Sequence, residues 1–326
     1  MRFGCWTPLR GGEEGIEDHF ELARATLQKA ERYGFETSLV AERFIGGEYE
    51  AWILATALSQ HTSRIELIVA VHPGIISPQV AAKMGATLDN LTRGRCAINV
   101  VNGWWREEMD TYGNGGWLDE GEARYRRMDE FIEVMTGLWM KEQVTLQGEF
   151  YQIDKGRLPQ KLYAQPHPPI YTASRSEIGK DVVARRCQSW FIDAPPGHRQ
   201  WEDNFAAMEG HLRAMDRRCA GLGRKLDYVL NAAVLCADSD EEAQARADAL
   251  EERARGDRLL MAGGVKGLGG GLVGSPATIA ARIDRCAQIG VDCLMLRFLP
   301  AFEGMDRFAR DVMPLLPVKG ALAPAR

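Results

Sequence analysis

Eight times along this chain a short β-branched or apolar run is followed by an amphipathic stretch of helical length, and few folds accommodate that alternation. The strand-like runs are Met1–Thr7, Thr37–Val40, Ile65–Ala70, Cys96–Val101, Ile170–Ala173, Ser189–Ile192, Tyr228–Cys236 and Asp292–Leu296. The first helical stretch, Glu17–Tyr33, sets Phe20, Ala23, Leu27 and Ala30 three or four apart, on one helical face. Further helices are expected over Glu50–Gln60, Gln79–Leu91, Glu122–Leu138, Ile178–Arg186, Trp201–Leu222, Asp240–Arg255 and Pro276–Ile289, with a closing helix at Asp306–Leu316. Val144–Ile153 reads as a local hairpin. A doubly wound open sheet shares the alternation, but eight repeats in 326 residues suit closure better. The fold expected is therefore α/β, a single (β/α)₈ TIM barrel over residues 1–326, with an insertion at about 102–165 and a mobile loop at about 255–272. The glycine-rich part of that loop, Ala262–Gly271, is expected to close as a lid over the site.

Composition removes several function classes. Lys and Arg total 40 against 45 Asp and Glu, a net charge of −5, which is the wrong sign for a chain that coats nucleic acid. No apolar run approaches the roughly 20 residues that cross a bilayer. The N-terminus lacks a cationic segment followed by an apolar one, so a cytoplasmic protein is expected. The seven cysteines form no CxxC pair and read as reduced, buried thiols. The six histidines never fall in HExxH or HxH spacing, so no metal is expected. Neither a GxSxG elbow nor a phosphate-binding GxxxxGK[ST] loop is present.

A barrel of this kind carries its site at the C-terminal ends of its strands. Those ends bring Trp6, Glu42-Arg43, His72-Pro73-Gly74, Asn99 to Trp105, Ser174-Arg175-Ser176, Asn231 and Arg297 to one rim. Ser174 to Glu177 joins a strand to a helix start, where a phosphate meets backbone N–H groups, hydroxyls and a guanidinium; Ser176 also suits an ordinary helix cap. The amides Asn99 and Asn102 suit the donor–acceptor edge of a heterocycle. Trp6, His72, Trp104, Asn231 and Arg297 are the candidates for a substrate pocket. A lone cation is costly to bury, so Arg297 either pairs with Glu303 or Asp193 or meets an anionic substrate.

The run Val71–Arg95, with Pro73-Gly74, Ser77-Pro78 and Ala86-Thr87-Leu88-Asp89, leads into Asn99-Val100-Val101-Asn102-Gly103-Trp104. Together with Glu108, Arg124-Tyr125, Gly148-Glu149-Phe150-Tyr151, Ser174–Gly179 and Leu272-Val273-Gly274-Ser275-Pro276, it resembles the bacterial luciferase-like superfamily of flavin-dependent oxidoreductases. Within it the chain is most similar to the dimethyl sulfone monooxygenase branch, sharing Trp6, Arg124-Tyr125-Arg126-Arg127 and Asn231-Ala232; Arg297 and His72 depart from that branch. The resemblance implies an FMNH2-dependent two-component monooxygenase acting on a small organosulfur compound, using O2 and a flavin peroxide adduct. It also implies a separate NAD(P)H:flavin reductase and a homodimer or homotetramer. It carries flavin binding onto Glu42, Arg43, Asn99, Glu108, Arg124, Tyr125, Ser174 and Ser176. Related readings are a flavin monooxygenase that opens a pyrimidine or flavin ring, and a deazaflavin (F420)-dependent dehydrogenase.

Overall fold

Parallel pairing between the first and the last strand closes the sheet into a ring. In the computed structural model, which describes every residue except 13, 104, 114, 115, 196, 257–264 and 317–326 (Asp193 by its backbone only), β1 (Arg2–Trp6) pairs with β11 (Cys293–Phe298) in the register Arg2↔Cys293 to Cys5↔Leu296. From β1 the ring runs through β2 (Thr37–Val40), β3 (Glu66–Val71), β4 (Cys96–Val100), β7 (Ile170–Ala173), β8 (Ser189–Asp193) and β9 (Asp227–Cys236) back to β11, every pairing parallel. Helices connect these strands: α1 (His19–Arg32), α2 (Ala51–Ser59), α3 (Pro78–Thr92), α5 (Gly121–Met140), α6 (Glu177–Arg186), α7 (Trp201–Ala220), α8 (Asp240–Ala254) and α9 (Pro276–Gln288). The expected (β/α)₈ barrel is thus the observed one.

Alternation along each strand separates two cores. Leu39, Ile68, Ala97, Tyr171, Phe191, Val229, Cys293 and Met295 fill the barrel interior, with Trp6 and Ala41 packed against them. The intervening residues, such as Cys5, Val40, Val69, Ile98 and Leu294, face the helices in the larger outer core. The floor of the barrel is polar: Arg2 pairs with Asp227 at 2.8 Å, and the Tyr171 hydroxyl donates to Glu66 at 3.2 Å. Burial pushes the Glu66 carboxyl up. All seven cysteines are free and buried, as their spacing implied. No helix among the described residues is long and apolar enough to cross a membrane.

The region between β4 and β7 carries elements beyond the strand–helix repeat. It holds α4 (Arg106–Tyr112), α5, and the antiparallel hairpin β5 (Val144–Gln147) with β6 (Gln152–Gly156). The sequence periodicity missed α4, where only Glu108 and Met109 are buried, and the two-residue strand β10 (Val273–Gly274), which extends the sheet beyond β9. It also placed the closing helix late. That helix, α10 (Ala301–Arg307), starts directly after Pro300, and the backbone then loosens into a π turn over Phe308–Val312 and tightens into a 3₁₀ turn over Met313–Leu315.

Of the expected mobile loop, residues 257–264 lie outside the described part. The remainder is packed against the barrel. Val265–Gly270 form a 3₁₀ helix in which Val265 and Leu268 are buried. A Cβ on Gly270 would fall 2.8 Å from the Cβ of Ala232, so glycine serves close packing at this position. Asn204 fastens this segment by donating to Pro195, Gly197 and Gly269 carbonyls at 3.0–3.1 Å.

Elsewhere carboxylates hold the connections by taking main-chain N–H groups. Glu31 accepts from Ser63 and Ile65 at 2.9 Å, and Asp89 from Tyr163 and Ala164 at 2.6 and 3.0 Å. Glu130 accepts from Glu149, Phe150 and Tyr151 at 2.7, 2.9 and 3.1 Å, which explains the Gly148–Tyr151 motif as the hairpin tip hooked to α5. Glu130→Ala leaves these amides without their acceptor. It should cost about 1–3 kcal/mol in denaturant unfolding and raise hydrogen exchange selectively at residues 149–151.

Candidate active site

Three groups of residues meet at the strand C-termini. The first gathers at the start of α6. Ser176 caps this helix, its hydroxyl accepting from Gly179 N–H at 3.2 Å, and Ser174 donates to the Ser176 carbonyl at 3.3 Å. Tyr125, from α5, lies against the same turn: a Cβ on Gly179 would come 2.0 Å from Ser174 Oγ and 2.4 Å from the Tyr125 ring. Only glycine permits that approach. Hydroxyls, a phenol and the positive end of a helix therefore converge on one cradle, the chemistry of a phosphate site. Arg124, expected here as a flavin ligand, is turned toward the insertion, stacked over Trp117 at 3.9 Å and donating to the Leu118 carbonyl at 3.3 Å.

The second group lies on the inward row of the barrel mouth. Trp6 of β1 and Arg297 of β11 come together because those strands are neighbours in the closed ring, with the guanidinium over the indole at 4.1 Å. The Asp193 side chain falls outside the described part, so one alternative for Arg297, a pair with Asp193 rather than with Glu303 or an anion, lies outside it too. His72, just past β3, is 2 % exposed, with the ring of Phe44 edge-on at 6.0 Å. Burial alone pulls its imidazole down to about 4, so it is neutral at physiological pH. His72 Nδ1 and Asn231 Oδ1 are both buried without a hydrogen-bond partner. Asn99, on β4 in register with Ala70 and Tyr171, is buried as well. Trp104 is outside the described residues.

The third group ties the β2–α2 connection to α4. Glu108, 1 % exposed, accepts from Phe44 N–H, and the Phe44 and Tyr112 rings lie 5.7 Å apart. Burial raises the Glu108 carboxyl, against the lowering pull of the Phe44 and Ile45 amides and of Arg43. Arg43 is ion-paired with Glu48. Glu42 accepts from Ala51 N–H at 2.8 Å, while its Oε1 is buried without a partner. The structure therefore brings Glu42, Arg43 and Glu108 together, with the carboxylates fastening main chain. The sequence reading missed Phe44, Glu48, Trp117 and Tyr112. The Arg43–Glu48 pair shows only as opposite charges five apart in a connection, a spacing without periodic meaning.

A closed parallel barrel with a helix-capped cradle at its strand C-termini suits a phosphate-bearing cofactor, and the sequence gives the class. The profile of the luciferase-like monooxygenase family matches residues 1–293, and the chain belongs to that family. Two curated relatives are each named FMNH2-dependent dimethylsulfone monooxygenase. The one from Pseudomonas putida is 31% identical, with 97% of this chain and 95% of the relative covered. That from Pseudomonas fluorescens (strain Pf0-1) is 30% identical, with 97% and 94% covered. Among solved structures, the EDTA monooxygenase of Chelativorans sp. BNC1 superposes with a TM-score of 0.80 at 17% identity, covering 100% of this chain and 95% of that one; this likeness concerns the fold.

Burial, followed by the nearby Glu50 and Glu108 charges, raises the Glu42 carboxyl from 4.5 to about 8, against the Ala51 amide, which lowers it. The unfolded chain releases this proton near pH 4.5 and the folded chain only near 8. Glu42 thus lowers stability progressively as pH rises across that window, and no further above it. Glu42→Gln keeps an acceptor for Ala51 and removes the titration. The difference in Tm, variant minus wild type, should grow from pH 4.5 to 8 and then level off in thermal scans.

Proposed function

We propose that the chain is a reduced-FMN-dependent monooxygenase that uses O2 to oxidise a small organosulfur compound of the dimethyl sulfone class. A separate NAD(P)H:flavin reductase delivers the flavin, in the cytoplasm, to a homodimer or homotetramer of this chain. The observation that carries the reading is the cradle at α6, where Gly179 lets Tyr125 and Ser174 close around the helix start capped by Ser176. That donor set fits the phosphate of FMN, and the two similar monooxygenases named for FMNH2 support the assignment.

When bound, reduced flavin supplies the electrons that activate O2. The chain's own part is binding, orientation and exclusion of water. Ser174, Ser176 and Tyr125 would hold the phosphate; Arg43 and Glu108 would flank the ring through the β2–α2 connection and α4; Asn99 would offer an amide at the end of β4. Trp6, with Arg297 stacked on it, forms a polarisable positive wall suited to the oxygens of a sulfone. His72 adds a neutral imidazole and Asn231 an amide, so a neutral substrate meets directed hydrogen bonds on an otherwise apolar surface.

Two measurements test this. The double variant Ser174→Ala, Ser176→Ala should weaken FMN binding at least about tenfold by fluorescence titration, the equivalent of about 1.4 kcal/mol. Binding unchanged from wild type would remove the cradle from the flavin site. Turnover with a flavin reductase, NADH and FMN should consume O2 with a sulfone as substrate, more slowly with sulfonates or pyrimidines. A preference for a pyrimidine would reassign the substrate while leaving the cofactor in place.

A further inference from the structure

A second cationic group lies beneath the turn that follows β3, on the helix side of the barrel wall. Arg127 of α5 is 4 % exposed, its Nε is buried without a hydrogen-bond partner, and among the described residues its charged or titratable neighbours are Tyr151 and Arg124, with no carboxylate. Its guanidinium rests on Gly74: a Cβ there would fall 2.6 Å from Cζ, and φ at this glycine is +97°. The Tyr151 hydroxyl, at the hairpin tip, faces the main-chain N–H of the same glycine and the Arg127 charge, and no hydrogen bond of good geometry reaches its buried oxygen. Asn102 Oδ1 is orphaned too, and the Val101 N–H to Val71 carbonyl bond of 2.8 Å places it beside the His72–Gly74 turn.

A guanidinium does not escape burial by losing its proton, because its pKa lies far above physiological pH. Isolated in an apolar setting it is costly, so buried arginines are normally found against carboxylates. Here the counter-charge is missing among the described residues, while a second donor, the Tyr151 hydroxyl, faces the same turn. We propose that Arg127 and Tyr151 form a binding site for a small inorganic anion of the halide class, which fixes the Pro73-Gly74 turn and with it the position of His72. A halide is the smallest anion that can accept from Arg127 Nε–H and the Tyr151 hydroxyl at once. This site is separate from the Ser174–Ser176 cradle and does not rest on the flavin assignment.

The test uses the full chain without flavin. Crystals grown in sodium bromide should show an anomalous peak in contact with Arg127. Tm should be higher in chloride than in gluconate at equal ionic strength, and this difference should vanish in Arg127→Met, which keeps the length of the side chain. Tyr151→Phe retains the ring and should weaken the chloride midpoint about tenfold, as loss of one hydrogen bond to a charged group does. Equal Tm in the two salts for the wild type, or crystals with water alone at Arg127, would overturn the proposal without involving any variant. A bromide peak displaced by FMN but not by riboflavin would overturn it differently, by assigning Arg127 to the cofactor's phosphate.

Discussion

Closure of the sheet by β1 and β11 is the constraint on which the other arrangements depend. An open sheet of the same strands would leave Trp6 and Arg297 on opposite edges. Once Cys5 lies beside Leu296, the two side chains one residue further along each strand must share the mouth, and they stack. Closure also forces inward residues to fill a narrow interior, so the mouth becomes the one place where the barrel itself can turn polar groups toward a ligand. The polar floor formed by Arg2, Asp227, Glu66 and Tyr171 seals the opposite end.

Burial, more than charge pairing, sets the electrostatics of that mouth. His72 loses its proton affinity to desolvation, and Glu42 and Glu108 hold their protons more tightly for the same reason. Glu42, ionic in water, is thus held mostly neutral near pH 7 where the barrel opens. Such a lining suits a site that must exclude water around a planar cofactor and a small substrate, because each remaining donor or dipole acts in a low-dielectric setting.

The barrel was legible in the sequence because eight buried strands and their helices repeat one physical problem, burial of a strand on both faces. The strand ends followed, which is why Ser174, Ser176, Trp6 and Arg297 lie at or just past the C-terminal ends of their strands, as the alternation implies. What escaped depends on contacts distant in sequence. Arg124 beside Tyr125 gives no sign that Trp117 captures it, and the glycines after Val265 read as freedom, although Gly270 is there because Ala232 leaves no room. A lid and a tightly packed segment use the same residue for opposite reasons. Elements as short as α4 carry too few turns to register as periodic.

The carboxylates that grip the connections do so mainly through backbone amides. Glu31, Asp89, Glu108 and Glu130 each hold amide groups that almost any residue can offer. A connection secured in this way keeps its path while its own side chains drift, provided proline stays out of the gripped positions. The barrel is thereby able to acquire new substrates by point changes around its rim, with the scaffold indifferent to the exchange.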